Sequence, residues 1–478
     1  MRNANGSGHE QRRQTDGPGK DEVNRMNDFR KTAQEMLEFI RISPTCFHAV
    51  ANIGRMLEAA GFQQLQEKEE WKLEKGGRYY TERNDSSVIA FAIPEKEVGI
   101  RGFHMAAAHS DSPCFKIKEK PELTVEEHYL RLNTEKYGGM ILSTWLDRPL
   151  SIAGRLAVKN GNGIEGRLVN IDRDLCVIPN VAIHMNREMN KGVEYNPQVD
   201  LLPLLADVSF DEYDTHTTYD AQTASENAEE QTETVEKPTL AALAAEAAGV
   251  DAETILGEDL FLYTRQEGKM IGAKGEFVLS PRLDDLQSAF ALTKAFTEST
   301  PAEYINLCAV FDNEEVGSGT RQGADSTFLE DTLQRITEGL QEGHSTYLRW
   351  VADSFLISAD NAHAVHPNHP EKADPANRPY LNGGIVIKYH GSQKYTTDGI
   401  SAAKMKDYCE RAKVPYQTYA NRSDIAGGST LGNISTAHVS VSSVDIGLPQ
   451  LAMHSAVETA GMKDTEYAVR ALKEFWGE

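Results

Sequence analysis

The chain has 478 residues, 40% hydrophobic and 25% charged, the balance of a globular protein long enough for a large core and a second module. A formal net charge of -23 disfavours nucleic acid or an anionic membrane as partner, and no run of about 18 apolar residues is present to span a bilayer. The five cysteines (Cys46, Cys114, Cys176, Cys308 and Cys409) are odd in number and never spaced CxxC, which argues against a disulfide framework or a thiolate zinc site and suits a reducing cytoplasm.

Residues 1–25 are polar, lack the apolar centre of a secretory signal, and read as a disordered tail. Met26 opens a helical pattern and is an alternative start. Residues 26–62 read as two helices: Phe29, Ala33, Met36, Leu37 and Ile40 share a face, Ser43-Pro44 breaks it, and Gly61 closes the second helix. Short apolar runs then end in polar turns. VGIRGFHMAAA ends at His109, YINLCAVF at Asp312 and DSFLISA at Asp360, while VSVSSVDIGL leads to His454. Helical patterns such as Leu286, Ala289, Phe290, Thr293 and Phe296 separate the later runs. Buried strands alternating with helices predict an α/β fold, a three-layer catalytic domain with a central, mostly parallel sheet flanked by helices. In such sheets ligands gather beyond the carboxyl ends of the strands, where these polar turns lie.

Residues 114–275 differ in texture, with short alternating segments such as YLRLN, GRLAV and EGRLVNI between Gly/Asn turns. They predict a β-rich domain inserted between two catalytic parts, 26–113 and 276–478. Within the insertion, residues 211–237 are acidic and almost free of aliphatics, the composition of an exposed loop. Leu240, Leu243, Ala244 and Ala247 then form a helical patch.

The strand-end turns carry His109-Ser110-Asp111, Asp284-Asp285, Glu314-Glu315, Asp360 and His454. Imidazole and carboxylate without thiolate suit zinc and admit manganese or cobalt. The candidates outnumber what one zinc needs; two ions about 3.5–4 Å apart, sharing a carboxylate, would use them all. Singly each piece has a plainer explanation: a strand-end histidine on a carboxylate, a solvated Glu pair, a helix-capping Asp. His363, His366 and His369 fall in a His-Pro-rich surface loop and are set aside.

The ordered motifs AHSDSP, TWLDRPLSIAGR, IPNVAIHMNR, SPRLDDL, FDNEEVGS, SADNAHAVHPN, IKYHGSQKY, RSDIAGGSTLG and PQLAMHS decide between these readings. From about Met26 to near the C-terminus the chain resembles the aspartyl aminopeptidase family of cocatalytic zinc exopeptidases. The resemblance implies that His109, Asp284, Glu315, Asp360 and His454 bind two divalent ions, most readily Zn2+, with Asp284 bridging. It implies Glu314 as general base and Asp111 as the residue that orients His109. His184 reads from the residues alone as a buried histidine of the β-rich domain; the resemblance instead has it reach a neighbouring subunit's active site to stabilise the oxyanion. That requires at least a dimer, and the family's particle is a homododecamer. Lys388 and Tyr395 match positions that contact an acidic substrate side chain, although Lys388 could equally pair with an acid of the protein. The glycines of RSDIAGGSTLG either offer backbone N–H donors or merely make a turn. Pro149, where an acidic residue is expected, and the acidic loop depart from the family pattern. The implied activity is release of N-terminal Asp or Glu from peptides. The same chemistry on neutral or basic N-termini, and a non-enzymatic assembly role, are the other readings.

Overall fold

The apolar runs that end in His109, Asp312 and Asp360 are the middle of a nine-stranded sheet. The computed structural model describes residues 20–95, 99–208, 239–425, 427–428 and 430–478. Residues 1–19 and the acidic loop 211–237 lie outside them. At the sheet's centre Ile305–Phe311, Phe103–His109, Phe355–Ala359 and Ser442–Gly447 run side by side in parallel. Antiparallel pairs continue it at Ser87–Ala92 with Arg78–Arg83 and at Ile385–Tyr389, which pairs in parallel with the edge strand Tyr416–Ala420. Nearly every residue of the four central strands is buried, as a sheet covered on both faces requires.

Side chains alternate between the two faces. Ala106 and Ala108 join a core built on helices Lys20–Arg41, Cys46–Ala59, Leu283–Thr297, Gly399–Arg411 and Asp464–Trp476. Phe103, Met105 and Ala107 face the opposite core, with Phe328, Leu333 and Ile336 of helix Phe328–Gly339 and Tyr347 and Trp350 of helix His344–Ala352. The result is the three-layer α/β arrangement. The first helix begins at Lys20, so residues 20–25 belong to it and not to a disordered tail, and Met26 does not mark its start.

A separate six-stranded antiparallel sheet is made of Gly163–Asn170, Leu150–Asn160, Ile255–Thr264, Cys114–Val125, Tyr129–Tyr137 and Leu204–Asp207, in that order. It has its own apolar core, including Phe115, Trp145, Ile152 and Leu260. This module ends sooner than residue 275. Lys269–Ile271 already pairs with Phe277–Ser280, in a five-stranded sheet with Glu458–Gly461 that supports the C-terminal half. Among the described residues no helix is long and apolar enough to cross a membrane.

Two histidines, the buried His104 and the half-buried His48, make the fold acid-sensitive. His104 is stacked between Tyr304 and Phe475, at centroid distances of 3.7 and 4.5 Å, and burial lowers its pKa to about 4. Burial also lowers His48 to about 4. A base with a depressed folded-state pKa binds fewer protons folded than unfolded, so stability falls as pH drops from about 6.5 toward 4. His104→Phe keeps the stack and is expected to remove up to about 3 kcal/mol of that loss. Denaturant unfolding of both proteins at pH 7 and 4.5 checks it, and equal losses would reject the assignment.

Candidate metal centre

Separate stretches of backbone deliver the five ligand candidates to one place. His109 is the last residue of strand Phe103–His109, directly opposite Phe311 of the adjacent parallel strand. That neighbour runs on into the short turn Glu314–Val316. Asp360 follows strand Phe355–Ala359, and His454 lies beyond Pro449–Leu451. Asp284 stands where the chain enters helix Leu283–Thr297, on backbone that is not itself helical (φ -83°, ψ 108°). Arg282, Asn313 and His454 all have left-handed backbone (φ 53°, 62° and 66°), which costs a non-glycine residue of order 1–3 kcal/mol and clusters at functional sites.

The two oxygens of Asp284 face different histidines. Oδ1 is 3.5 Å from His109 Nε2, and Oδ2 is 3.4 Å from His454 Nε2. His109 Nε2 is also 3.9 Å from Asp360 Oδ1, and His454 Nε2 is 3.4 Å from Glu315 Oε1. Two half-sites therefore meet at one carboxylate. Donors around a tetrahedral zinc stand about 3.3–3.6 Å apart, given bonds of about 2.0–2.2 Å, so most of these spacings fit a cation between the atoms. The buried oxygens Asp284 Oδ1, Asp285 Oδ1 and Glu315 Oε1 have no hydrogen-bond donor, a costly condition that a cation would relieve. The residues present fit zinc.

The charge balance agrees. Burial pushes the carboxyls of Asp285 and Glu315 well above the usual range, raises Asp360, and raises Glu314 to about 8. Burial would raise Asp284, but the imidazoles of His109 and His454, 3.5 and 3.4 Å from its oxygens, hold it below its ordinary value. So many buried carboxylates call for more positive charge than the histidines supply.

Asp111 organises one side. Its backbone carbonyl lies 3.1 Å and its Oδ1 3.3 Å from His109 Nδ1, leaving Nε2 for the half-site. Its carboxylate also accepts from the backbone N–H groups of Glu314 and Glu315, both at 3.2 Å. On the other side stands Glu458, which sequence reasoning passed over. It accepts from His454 N–H at 2.8 Å and from Asp284 N–H at 3.0 Å. Asn361, also missed, donates to the Leu283 carbonyl at 2.9 Å and to Gln450 at 2.8 Å. Each carried a faint signal: Glu458 is an acid inside the apolar run AVETAG, and Asn361 directly follows a candidate ligand.

Lys388 is buried and pairs with Asp360 Oδ2 at 3.3 Å, so it has a protein acid as partner. Its ammonium also lies 5.5 Å from the ring centroid of buried Tyr395. The turn RSDIAGGSTLG leads into helix Leu431–His438, whose start packs against Asp445, an anion of the chain itself, through Thr430 Oγ1 at 2.6 Å. His363, set aside on sequence, lies on strand Ala362–His363 just past Asp360 and is exposed there. His184 does not join the cluster of its own chain. It is exposed in a turn beside Val181, Ile183 and Met185, which are 51%, 46% and 84% exposed, and is no buried core histidine.

A family model for the aminopeptidase I zinc metalloproteases (M18) matches residues 39–476. The chain belongs to the M18 family. It is a zinc metallopeptidase with aminopeptidase activity. A probable M18 family aminopeptidase 2 of Clostridium novyi is 46% identical over 448 residues, covering 93% of this chain and 98% of the relative. One from Pseudomonas putida KT2440 is 40% identical over 442 residues, covering 92% and 97%. Among solved structures, a chain of the Ape4 and Nbr1 complex is 36% identical with a TM-score of 0.86, covering 94% of this chain and 86% of that one. A chain of the S. cerevesiae mApe1 dodecamer is 26% identical with a TM-score of 0.77, covering 94% and 97%.

Because Asp284 alone faces both half-sites, Asp284→Asn is expected to lower bound zinc more than Asp360→Asn or Glu315→Gln, each of which alters one. Elemental analysis after dialysis measures this, and equal losses across the three variants would contradict a shared carboxylate.

Proposed function

We propose that this aminopeptidase releases N-terminal aspartate and glutamate from peptides by two-metal activation of water. Asp284 carries the two-metal part: one carboxylate presents an oxygen to each of two histidines. His109, Asp284 and Asp360 would hold one ion, and Asp284, Glu315 and His454 the other. Zn2+ is the favoured metal, and Mn2+ or Co2+ suits the same donors. When bound, such ions polarise the scissile carbonyl and lower the pKa of water.

Glu314 acts as general base, taking a proton from the attacking water and delivering it to the leaving amine. Asp111 anchors the backbone N–H groups of Glu314 and Glu315 and so fixes where both side chains leave the chain. Lys388 and Tyr395 supply the acidic preference. Asp360 engages one face of the Lys388 ammonium, which has three N–H donors, so a substrate carboxylate can share the same buried cation.

The active particle is a self-associated one, a homododecamer built from dimers, in the cytoplasm. Support comes from the exposed apolar residues beside His184, the dodecameric mApe1 relative, and five cysteines that are all free. In this reading His184 serves the partner's site as an oxyanion donor.

Initial rates on matched peptides beginning with Asp, Glu, Leu and Lys test the substrate class. Asp and Glu should lead, and Lys388→Ala should reduce kcat/KM for them at least about tenfold more than for Leu. Equal losses would discard the role of Lys388. Glu314→Gln should lose several powers of ten in kcat with zinc retained. His184→Phe should also be inactive, yet co-assembly of the two variants should restore part of the rate. No recovery in mixed particles would mean that His184 does not act across subunits.

A further inference from the structure

The strand Tyr129–Tyr137 of the six-stranded sheet ends against the metal centre of its own chain. Tyr137 donates its hydroxyl proton to Asp111 Oδ2 at 2.7 Å and accepts from Asn313 Nδ2 at 2.8 Å. Its ring is fixed edge-on to Phe261, at a centroid distance of 5.6 Å. Asp111 in turn touches His109 and the backbone of Glu314 and Glu315. The hydroxyl therefore sets the rotation of the one carboxylate that orients a ligand of the first half-site and seats the base.

The next residues reach the second half-site. Gly138, at φ 79°, runs so close to Glu315 that a Cβ there would stand 3.2 Å from Glu315 Cβ. A larger residue is thus excluded twice, by conformation and by space. His454 Nδ1 packs against Gly139, 3.9 Å from where a Cβ on that glycine would stand, while its Nε2 faces Asp284 and Glu315. Ile141 N–H binds the His454 carbonyl at 2.9 Å and holds that residue's left-handed backbone.

We propose that Tyr137 and the Gly138-Gly139 pair are positioning residues through which the second module holds both half-sites in register, within one chain. The proposal rests on the metal-site reading above. The module then serves the site in cis as well as through any subunit contact it makes. A partner bonded directly to a ligand, as Asp111 is to His109, is typically worth about 10–100-fold in metal affinity or activity, and Tyr137 stands one step behind it.

The experiment uses the full-length zinc-loaded enzyme and its Tyr137→Phe variant, which keeps the ring on Phe261. Zinc retained during chelator titration, kcat and KM on an Asp-leading peptide, and Tm are measured together. Tyr137→Phe should weaken zinc retention and lower kcat by about tenfold, the low end of what a direct partner of a ligand contributes, with KM and Tm close to wild type. Asp111→Asn with Tyr137→Phe should lose no more than Asp111→Asn alone, because the hydroxyl acts only through that carboxylate. Gly138→Ala should also lower zinc retention and kcat, with a lower Tm from its strained backbone, and its zinc loss should be greatest at the half-site of Glu315 and His454. Wild-type zinc retention and kcat in Tyr137→Phe, or a loss wholly accounted for by a lower Tm, would overturn the proposal. A wild type that holds a single zinc would overturn the two-metal reading instead. Two zincs in wild type with Tyr137→Phe unaffected would sink this proposal alone.

Discussion

The site depends on an imbalance of charge. Asp284, Asp285, Glu314, Glu315, Asp360 and Glu458 converge with Asp111 in a space where His109, His454 and Lys388 supply too little positive charge to balance them. Several of their oxygens have no donor. Buried carboxylates in this state persist only if the surrounding fold over-determines their positions, or if cations complete the set. Both hold for a metallopeptidase. The rigid sheet keeps the carboxylates together, and the zinc that the family binds makes the cluster favourable.

That rigidity comes from four parallel strands buried on both faces. Their carboxyl ends are in register, so polar residues placed just after each strand meet although they lie far apart in the chain. Helix Leu283–Thr297 adds Asp284 from beneath, because 13 of its 15 residues are packed against the sheet and its neighbouring helices. Glu458 then binds the backbone of Asp284 and of His454, and Asp111 the backbone of the Glu314-Glu315 pair. The candidate ligands are held by their main chain as well as by their side chains. Such a site can be strained at Arg282, Asn313 and His454 without collapsing.

The second module is not a passive insertion in this arrangement. Its sheet has its own core, yet Tyr137 and the two glycines after it pack onto both half-sites. Elsewhere it exposes apolar side chains, such as Ile164, Met185 and Leu256, that a lone chain would gain by covering. One side thus completes the site of its own subunit while the exposed surface suits association.

Much was legible in the sequence because its signals are local. Apolar runs ending in charged turns report buried parallel strands, and the residues just after them report a cluster of candidate ligands, since a strand end is where a side chain leaves the core. Boundaries were less legible. The helix beginning at Lys20 starts in a polar stretch, and strand Lys269–Ile271 belongs to the sheet of the catalytic part although it continues the texture of the insertion. Partners were less legible still. Glu458, Asn361 and Tyr137 act on residues that are distant in sequence, and no periodicity records such a contact. The same limit applies to Lys388, an isolated charge in an apolar strand until Asp360 is found 3.3 Å away. The sequence by itself determined the kinds of donor and the elements that carry them, because composition and spacing are local properties. Tertiary structure decided which oxygen faces which histidine and what stands behind each, because those distances exist only once the strands, the helix and the second module have packed together.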